Sequence, residues 1–224
     1  DNTFISYYVW GEAIGLGLDL ALRDYTGNQV SLDDYMRALW QQFGKPGGAI
    51  VGAVDNPYTS LEAREVLGEV ARSDAFAEDF FARYIDGRDI VDYEALFRLA
   101  GIAVQEVNPT DASLDVNVFG RGLRVARMTR YGSSLYEAGI NKGDLIVSVE
   151  GQQVVSPGDL QRLMQDKRPG DRLVVEFRRD GTLRQTTIEA DADRRIRLVA
   201  FEVLGEPVSS AQRSFRQSWL GSHQ

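Results

Sequence analysis

The chain contains no cysteine and a single histidine, His223, and these two shortages exclude several kinds of chemistry. Without cysteine there is no disulfide and no thiolate metal site, and the redox compartment is left open. Zinc hydrolase sites usually need two or three imidazole or thiolate ligands, which one imidazole near the chain end does not supply. A Ser-His-Asp triad is improbable for the same reason. We therefore expect no metal site and no cofactor within this chain.

A surplus of basic residues and a long apolar run are also lacking. The 224 residues carry a formal net charge of −8, so nucleic-acid binding through a basic face is not expected. No stretch approaches the ~18 uninterrupted apolar residues that a membrane span needs. The apolar fraction of 43% is ordinary for a globular protein, and the length allows one large domain or two small ones.

The first hundred residues have the apolar periodicity of helices. In the first predicted helix, from about Tyr8 to Tyr25, apolar residues cover nearly the whole circumference, which predicts a buried helix. Thr59 and Glu62 form a capping box that predicts the start of another helix. Beyond Gly101 the apolar period changes from 3.6 to 2, which predicts strands.

The segment Gly132–Val154 is rich in backbone signals. Ser134 with Glu137 predicts a capped short helix, and Gly139 is placed to end it in a left-handed conformation. A Gly-Asp turn, an apolar strand and a glycine turn follow. This order and spacing of residues resembles the PDZ domain, especially its form in bacterial proteases. The resemblance implies a domain that binds extended peptides or protein C-termini as an added strand.

These patterns together predict an α+β fold with three parts. Residues 1–100 form an all-α region, and residues 101–190 form a PDZ-like β-barrel or sandwich with two helices. Residues 191–224 supply a strand from Ile196 to Val203 and a last helix capped by Ser209 or Ser210, packing back on the body. Asp180-Gly181 predicts a hairpin within the second part.

The PDZ resemblance also implies a peptide groove and a loop that receives the peptide's terminal carboxylate. A helix with proline at its first position, Pro157–Lys167, is the candidate groove helix. The candidate peptide-binding residues are Gly120, Arg121, Gly122, Leu123, Leu160, Leu163 and Met164. Two alternatives stay open: the glycine loop is a β-bulge or hairpin connection, and the three helix residues are plain core.

A basic run, Arg194, Arg195 and Arg197, follows the PDZ-like part. It could contact acidic partners, and the alternative is a solvated strand face or linker.

The segments Ser6–Ile14, Leu18–Arg23 and Ser31–Trp40 resemble the glycyl aminopeptidase family, as do Phe80–Gly87 and the end of the chain from Gln212 to Gly221. These are zinc metallopeptidases with a thermolysin-like catalytic domain, a helical region and a C-terminal PDZ domain. The resemblance covers essentially the whole chain.

That resemblance implies a C-terminal part of a longer enzyme. The family's His-Glu-x-x-His zinc motif would lie upstream of Asp1, so zinc is expected in the parent protein and the fragment alone is expected to be inactive. Tyr8, with Tyr7 as the alternative, takes the place of a tyrosine that stabilises the oxyanion of the tetrahedral intermediate. Expected partners are peptides or protein C-termini and the upstream zinc-binding part. A periplasmic or secreted location is suggested, and the cytoplasm stays open.

Two other hypotheses compete with the enzyme fragment. One is a non-enzymatic peptide-binding module in which the helices act as a scaffold. The other is a purely structural module whose groove is filled by the chain's own tail, through Phe215 or Trp219.

Overall fold

The computed structural model describes residues 6–44, 56–114, 116, 118–119 and 122–221. The predicted loop residues Gly120 and Arg121 and the single histidine, His223, lie outside these ranges. The chain divides into two compact units. The sheet unit comprises Gln105–Arg197, and the helical unit joins residues up to Val104 with those from Leu198 onward.

Most of the helices lie in the helical unit, before Val104 and after Leu198, and the others lie in the sheet unit. The helices are α1 (Tyr7–Tyr25), α2 (Leu32–Leu39), α3 (Ser60–Ala71), α4 (Asp74–Phe80), α5 (Tyr93–Leu99), α6 (Ser134–Glu137), α7 (Pro157–Met164) and α8 (Ser210–Leu220). Wider helical turns continue α2 over Trp40–Gly44 and α4 over Phe81–Ile85. Among the described residues, none of these helices combines the length and the apolar character that a membrane crossing requires.

The strands are β1 (Ile102–Glu106), β2 (Ala112–Ser113), β3 (Val118–Phe119), β4 (Leu123–Val125), β5 (Leu145–Val149), β6 (Gln152–Gln153), β7 (Arg172–Arg179), β8 (Thr182–Glu189), β9 (Asp191–Ala192) and β10 (Ile196–Ala200). The main sheet has the order β3-β4-β5-β7-β8, with β6 paired to β5, and β2 pairs with β9 and β1 with β10. The predicted α+β class is confirmed, with helices first and a PDZ-like sheet region after them. The sheet formed by the described strands is open, so the barrel form of that prediction does not apply.

Short-range backbone signals account for several elements. Thr59 accepts a hydrogen bond from the Glu62 backbone N–H at the start of α3, as its capping box predicts. The β7–β8 hairpin turns at Asp180 and Gly181, whose φ angles are 50° and 80°. Positive φ at both central residues matches the twist of the flanking strands, which explains the Asp-Gly pair there.

Three expectations are wrong in their detail. The start of α1 is exposed rather than buried, with Tyr8 72% and Val9 61% accessible. The cap of α6 is Ser133 rather than Ser134, because the Ser134 hydroxyl donates instead to Asp191 at 2.8 Å. The last predicted strand ends at Ala200 and continues as a short 3₁₀ helix over Phe201–Leu204.

Each unit has its own apolar interior. The core of the sheet unit is built from alternate residues of its strands and from α6 and α7, and it includes Leu123, Ile146, Leu173, Val175 and Ile188. In the helical unit, one cluster centres on Leu22 and Leu67 and another joins Leu20, Phe97 and Phe215. Burial of these side chains is the main source of stability, at about 25 cal/mol for each Å² of apolar surface removed from water.

A buried ion pair joins three segments of the sheet unit. Arg179, at the end of β7, donates to both carboxylate oxygens of Asp144 at 2.8 and 2.6 Å and to the Gly139 carbonyl at 2.6 Å. Burial alone would raise the pKa of Asp144, but the hydrogen bonds from Arg179 and from the Asn141 backbone N–H hold it below its ordinary value. Asp144 is therefore ionised at neutral pH.

Candidate peptide-binding groove

A groove of about 380 Å³ lies in the sheet unit between the segment 112–118 and α7. We call it the peptide groove. Its wall on the strand side includes Ala112, Leu114, Val116 and Val118, and its wall on the helix side includes Pro157, Leu160, Gln161, Met164 and Gln165. The volume falls in the range of ordinary ligand pockets, and apolar side chains supply much of the lining.

The start of α7 is fixed by its own sequence. Ser156 accepts a hydrogen bond from the Asp159 backbone N–H at 3.2 Å, and the Asp159 carboxylate accepts one from the Ser156 N–H at 2.8 Å. Asp159 also accepts from the Val155 N–H at 3.1 Å, and Pro157 occupies the first helical position. This capping box orients α7 so that positions 157, 160, 161, 164 and 165 share the face that lines the groove.

The floor of the groove is continuous with the core. Leu160 and Met164 are only 8% and 7% exposed and belong to the apolar core of the sheet unit. The same two side chains therefore pack in the core and line the groove, and their role in peptide binding stays a prediction. An apolar side chain of a ligand would pack against Leu160 and Met164 without removing water from a polar group.

One end of the groove is polar. Asn108, Asp111, Asp193 and Arg195 line it, and the Asp193 N–H donates to the Asp111 carbonyl at 3.0 Å. The Asp193 carboxylate accepts from Arg195 through Nε at 2.9 Å and through Nη2 at 2.6 Å. Hydrogen bonds from Arg195 lower the pKa of Asp193 to about 2, so this buried carboxylate is ionised at any ordinary pH.

The predicted loop residues occupy different surroundings. Leu123 is fully buried in the core of the sheet unit, and the Gly122 N–H donates to the Val155 carbonyl at 3.2 Å. Strands β3 and β4 pair antiparallel, with Phe119 opposite Arg124. Gly120 and Arg121 lie outside the described residues, and the carboxylate-loop role stays a prediction.

Leu163 lies apart from the other two helix residues. It is half-buried and lines a separate cleft with Glu150, Gln152 and Lys167. Leu160 and Met164 line the peptide groove, and Leu163 packs against the core from its own side of α7.

The two candidate catalytic tyrosines lie in the helical unit, in the first turn of α1. Tyr7 is 69% and Tyr8 is 72% exposed, and their ring centroids are 4.2 Å apart. A hydrogen bond shared with Tyr8 raises the pKa of the Tyr7 phenol. Both hydroxyl groups are accessible to a reacting group, and the oxyanion role stays a prediction.

The described residues contain no cluster of three or more histidine, cysteine, aspartate or glutamate side chains that could hold a metal ion. They therefore do not fit the ligand set that a zinc site requires. Zinc in the parent protein stays a prediction.

Sequence patterns did not indicate the polar end of the groove. Asn108 and Asp193 are 85 residues apart in the chain, and only the fold brings them within hydrogen-bond distance. The basic run that contains Arg195 was the available signal, but its spacing alone does not tell a groove wall from a solvated strand.

The groove lies in the part of the chain that also matches a known family. Residues 87–190 match the family model of the PDZ domain. No curated protein matches the chain.

Solved structures resemble the chain in fold. An aminopeptidase N family protein from Idiomarina loihiensis superposes with a TM-score of 0.70 at 20% identity, covering 97% of this chain and 36% of that protein. The chain thus spans about a third of the length of that protein, and at this identity the likeness shows the fold alone. A serine endoprotease from Yersinia pestis covers 45% of this chain and 33% of its own, at 21% identity and a TM-score of 0.33. The HtrA-type protease AlgW with decapeptide covers 41% of this chain and 30% of its own, at 18% identity and a TM-score of 0.30. The last two scores are too low to carry an argument.

Proposed function

We propose that the sheet unit binds an extended peptide in the peptide groove, as a strand added beside residues 112–118. The observation that carries this proposal is the groove itself, with an apolar floor made by Leu160 and Met164 and residues of the short strands β2 and β3 on its opposite wall. Backbone hydrogen bonds to the strand would give affinity, and side chains placed against α7 would give selectivity. The PDZ match over residues 87–190 supports this choice of ligand.

We further propose that the chain is the C-terminal part of a zinc-dependent aminopeptidase, in which the groove recruits or gates peptide substrates. The fold likeness to an aminopeptidase N family protein over 97% of this chain supports this part. In that enzyme a zinc ion held by upstream residues would activate the attacking water, and Tyr8 would donate a hydrogen bond to the developing oxyanion. A full-length protein without a His-Glu-x-x-His motif would contradict this part and leave the peptide-binding proposal standing.

Peptide binding is tested by filling the groove with a side chain that the fold tolerates. Gln161 is exposed and lines the groove, so Gln161→Trp places an indole where the peptide would lie without disturbing the core. The probes are fluorescein-labelled decapeptides with free C-termini, titrated against the whole chain by anisotropy. We expect the tightest probe to lose about tenfold or more in affinity, as for a residue at the centre of an interface.

The matched control is Gln185→Trp, which makes the same change at an exposed position of β8 away from the groove. It is expected to leave the dissociation constant unchanged. Equal affinity of the wild type and Gln161→Trp for the tightest probe, or no binding by the wild type, would refute the proposed groove.

A further inference from the structure

A second cleft opens beside the polar end of the peptide groove. It has a volume of about 510 Å³ and is lined by Ser113, Val116, Arg130, Ala192, Asp193, Arg194 and Arg195. Ser113, Val116, Asp193 and Arg195 also line the peptide groove, so the two cavities share a wall. We call this second cavity the arginine cleft.

The charge of the arginine cleft is opposite to that of the whole chain. Of the described residues that line it, three carry guanidinium groups and one carries a carboxylate, whereas the chain as a whole has a net charge of −8. The carboxylate, Asp193, accepts hydrogen bonds from the side chain of Arg195 and from its backbone N–H at 3.1 Å. Hydrogen bonds and charge from Asp193, and then the charge of Asp111, raise the pKa of Arg195. These two carboxylates therefore already offset the charge of Arg195.

Arg194 differs from Arg195 in its side-chain contacts. It is exposed, and its guanidinium makes no hydrogen bond or ion pair with any residue that the structure describes. Its backbone is nevertheless anchored on both sides, because the Asp193 N–H donates to the Asp111 carbonyl and the Arg195 carbonyl accepts from the Val107 N–H at 2.9 Å. The backbone is thus held in place at this point of the cleft wall, and the neighbouring Asp193 carboxylate is bonded to Arg195 rather than to Arg194.

Arg130 approaches the same cleft from the segment before α6. Its carbonyl accepts from the Ser133 N–H at 3.0 Å and from the Ser133 hydroxyl at 2.7 Å, which fixes the backbone at this point. Guanidinium groups present a planar fork of N–H donors that matches the two oxygens of a carboxylate. Arg194 offers such a fork to an acidic side chain, and Arg130 adds a positive charge to the lining of the same cleft.

We propose that the arginine cleft binds the carboxylate of an aspartate or glutamate side chain of the peptide held in the groove, through the guanidinium of Arg194, with Arg130 adding positive charge to the same cleft. This inference rests on the proposed function and names its ligand class: extended peptides with an acidic residue near the polar end of the groove. Because the arginine cleft and the groove share a wall, a side chain of the bound strand can enter the arginine cleft while its neighbours contact α7.

The test compares paired peptides on the whole chain. The probes are the tightest decapeptide from the anisotropy screen and analogues in which each position in turn carries either glutamate or glutamine. At low salt we expect glutamate at one position to bind about fivefold tighter than glutamine, which corresponds to a partly exposed ion pair. The preference should shrink at high salt, because ions screen exposed charges.

The variants separate this inference from the proposed function. Arg194→Gln should reduce the preference to below about twofold, while the affinity for the glutamine peptide stays the same. Arg130→Gln should reduce it in the same direction, and the control Arg184→Gln, the same charge change on the exposed face of β8, should leave it intact.

Binding of all peptides without any glutamate preference would overturn the acidic-ligand inference alone. So would a preference that persists in the Arg130→Gln, Arg194→Gln double variant. Absence of binding by every peptide would refute the proposed function, and the acidic-ligand inference with it.

Discussion

The phenol groups of Tyr7 and Tyr8 are exposed at the start of α1, and their rings are in contact range at 4.2 Å. An exposed aromatic pair is costly for a helix end unless another surface or a ligand covers it. A phenol can donate a hydrogen bond to an oxyanion without adding a formal charge, so the pair is suited to the role proposed for it in the parent enzyme.

Replacing each tyrosine separately in the full-length protein shows which of the two has the proposed oxyanion role. Tyr8→Phe removes only the hydroxyl, and we expect kcat for glycine or alanine p-nitroanilide to fall by about 10² to 10³. The control Tyr7→Phe should keep nearly full activity, and KM should change little in either variant. If Tyr7→Phe alone lowers kcat, the role belongs to Tyr7, and full activity in both variants would contradict the proposed oxyanion role.

Ion pairing between elements carries part of the stability of the sheet unit. Arg179 connects the end of β7 to the turn before β5 and to the end of α6, and its Asp144 partner is almost completely buried. Burying a charge is costly unless it is paired, so loss of Arg179 leaves the Asp144 carboxylate with the hydrogen bond from the Asn141 N–H and without its ion-pair partner.

Arg179→Met is therefore expected to lower the free energy of unfolding by about 3 kcal/mol, because it leaves the Asp144 carboxylate buried and unpaired. Urea denaturation of the whole chain measures this change. Arg178→Met, at the exposed neighbouring position of β7, is the matched control and should cost much less. Adding Asp144→Asn to Arg179→Met should recover part of the lost stability. If Arg179→Met and the control Arg178→Met lower the free energy of unfolding equally, the role assigned to the Arg179–Asp144 pair is contradicted.

Elements defined by adjacent residues were predictable from the sequence. The start of α7 at Pro157 and the hairpin at Asp180-Gly181 depend on hydrogen bonds or φ angles within a few residues, and both are confirmed. The cap of α6 was displaced by one residue because Asp191, distant in sequence, accepts the Ser134 hydroxyl. Competition of that kind is not visible in a local pattern.

The candidate site also has one part that local sequence patterns predict and one part that depends on contacts between distant residues. Leu160 and Met164 follow helical spacing, and the sequence was enough to place them on the candidate groove helix. Two partners of Asp193 in the polar end, Asn108 and the Asp111 carbonyl, come from a distant segment, so their meeting depends on the fold. The exposed start of α1 was missed because an apolar composition predicts burial but does not say by what.

At the scale of the whole molecule, two units with separate cores carry different parts of the proposed function. The helical unit holds the exposed tyrosines, and the sheet unit holds the peptide groove and the arginine cleft. The proposed peptide strand, added beside β2 and β3, would exchange backbone hydrogen bonds with the wall of the groove. The central claim is therefore that peptide binding gives new hydrogen-bond partners to backbone amides on the wall of the peptide groove.

Amide hydrogen exchange of the whole chain, with and without the tightest decapeptide, tests that claim most directly. We predict slower exchange on binding in residues 112–118 and in α7, with the rest of the sheet unit and the helical unit unchanged. Protection confined to other segments, or none at saturating peptide, would contradict the account.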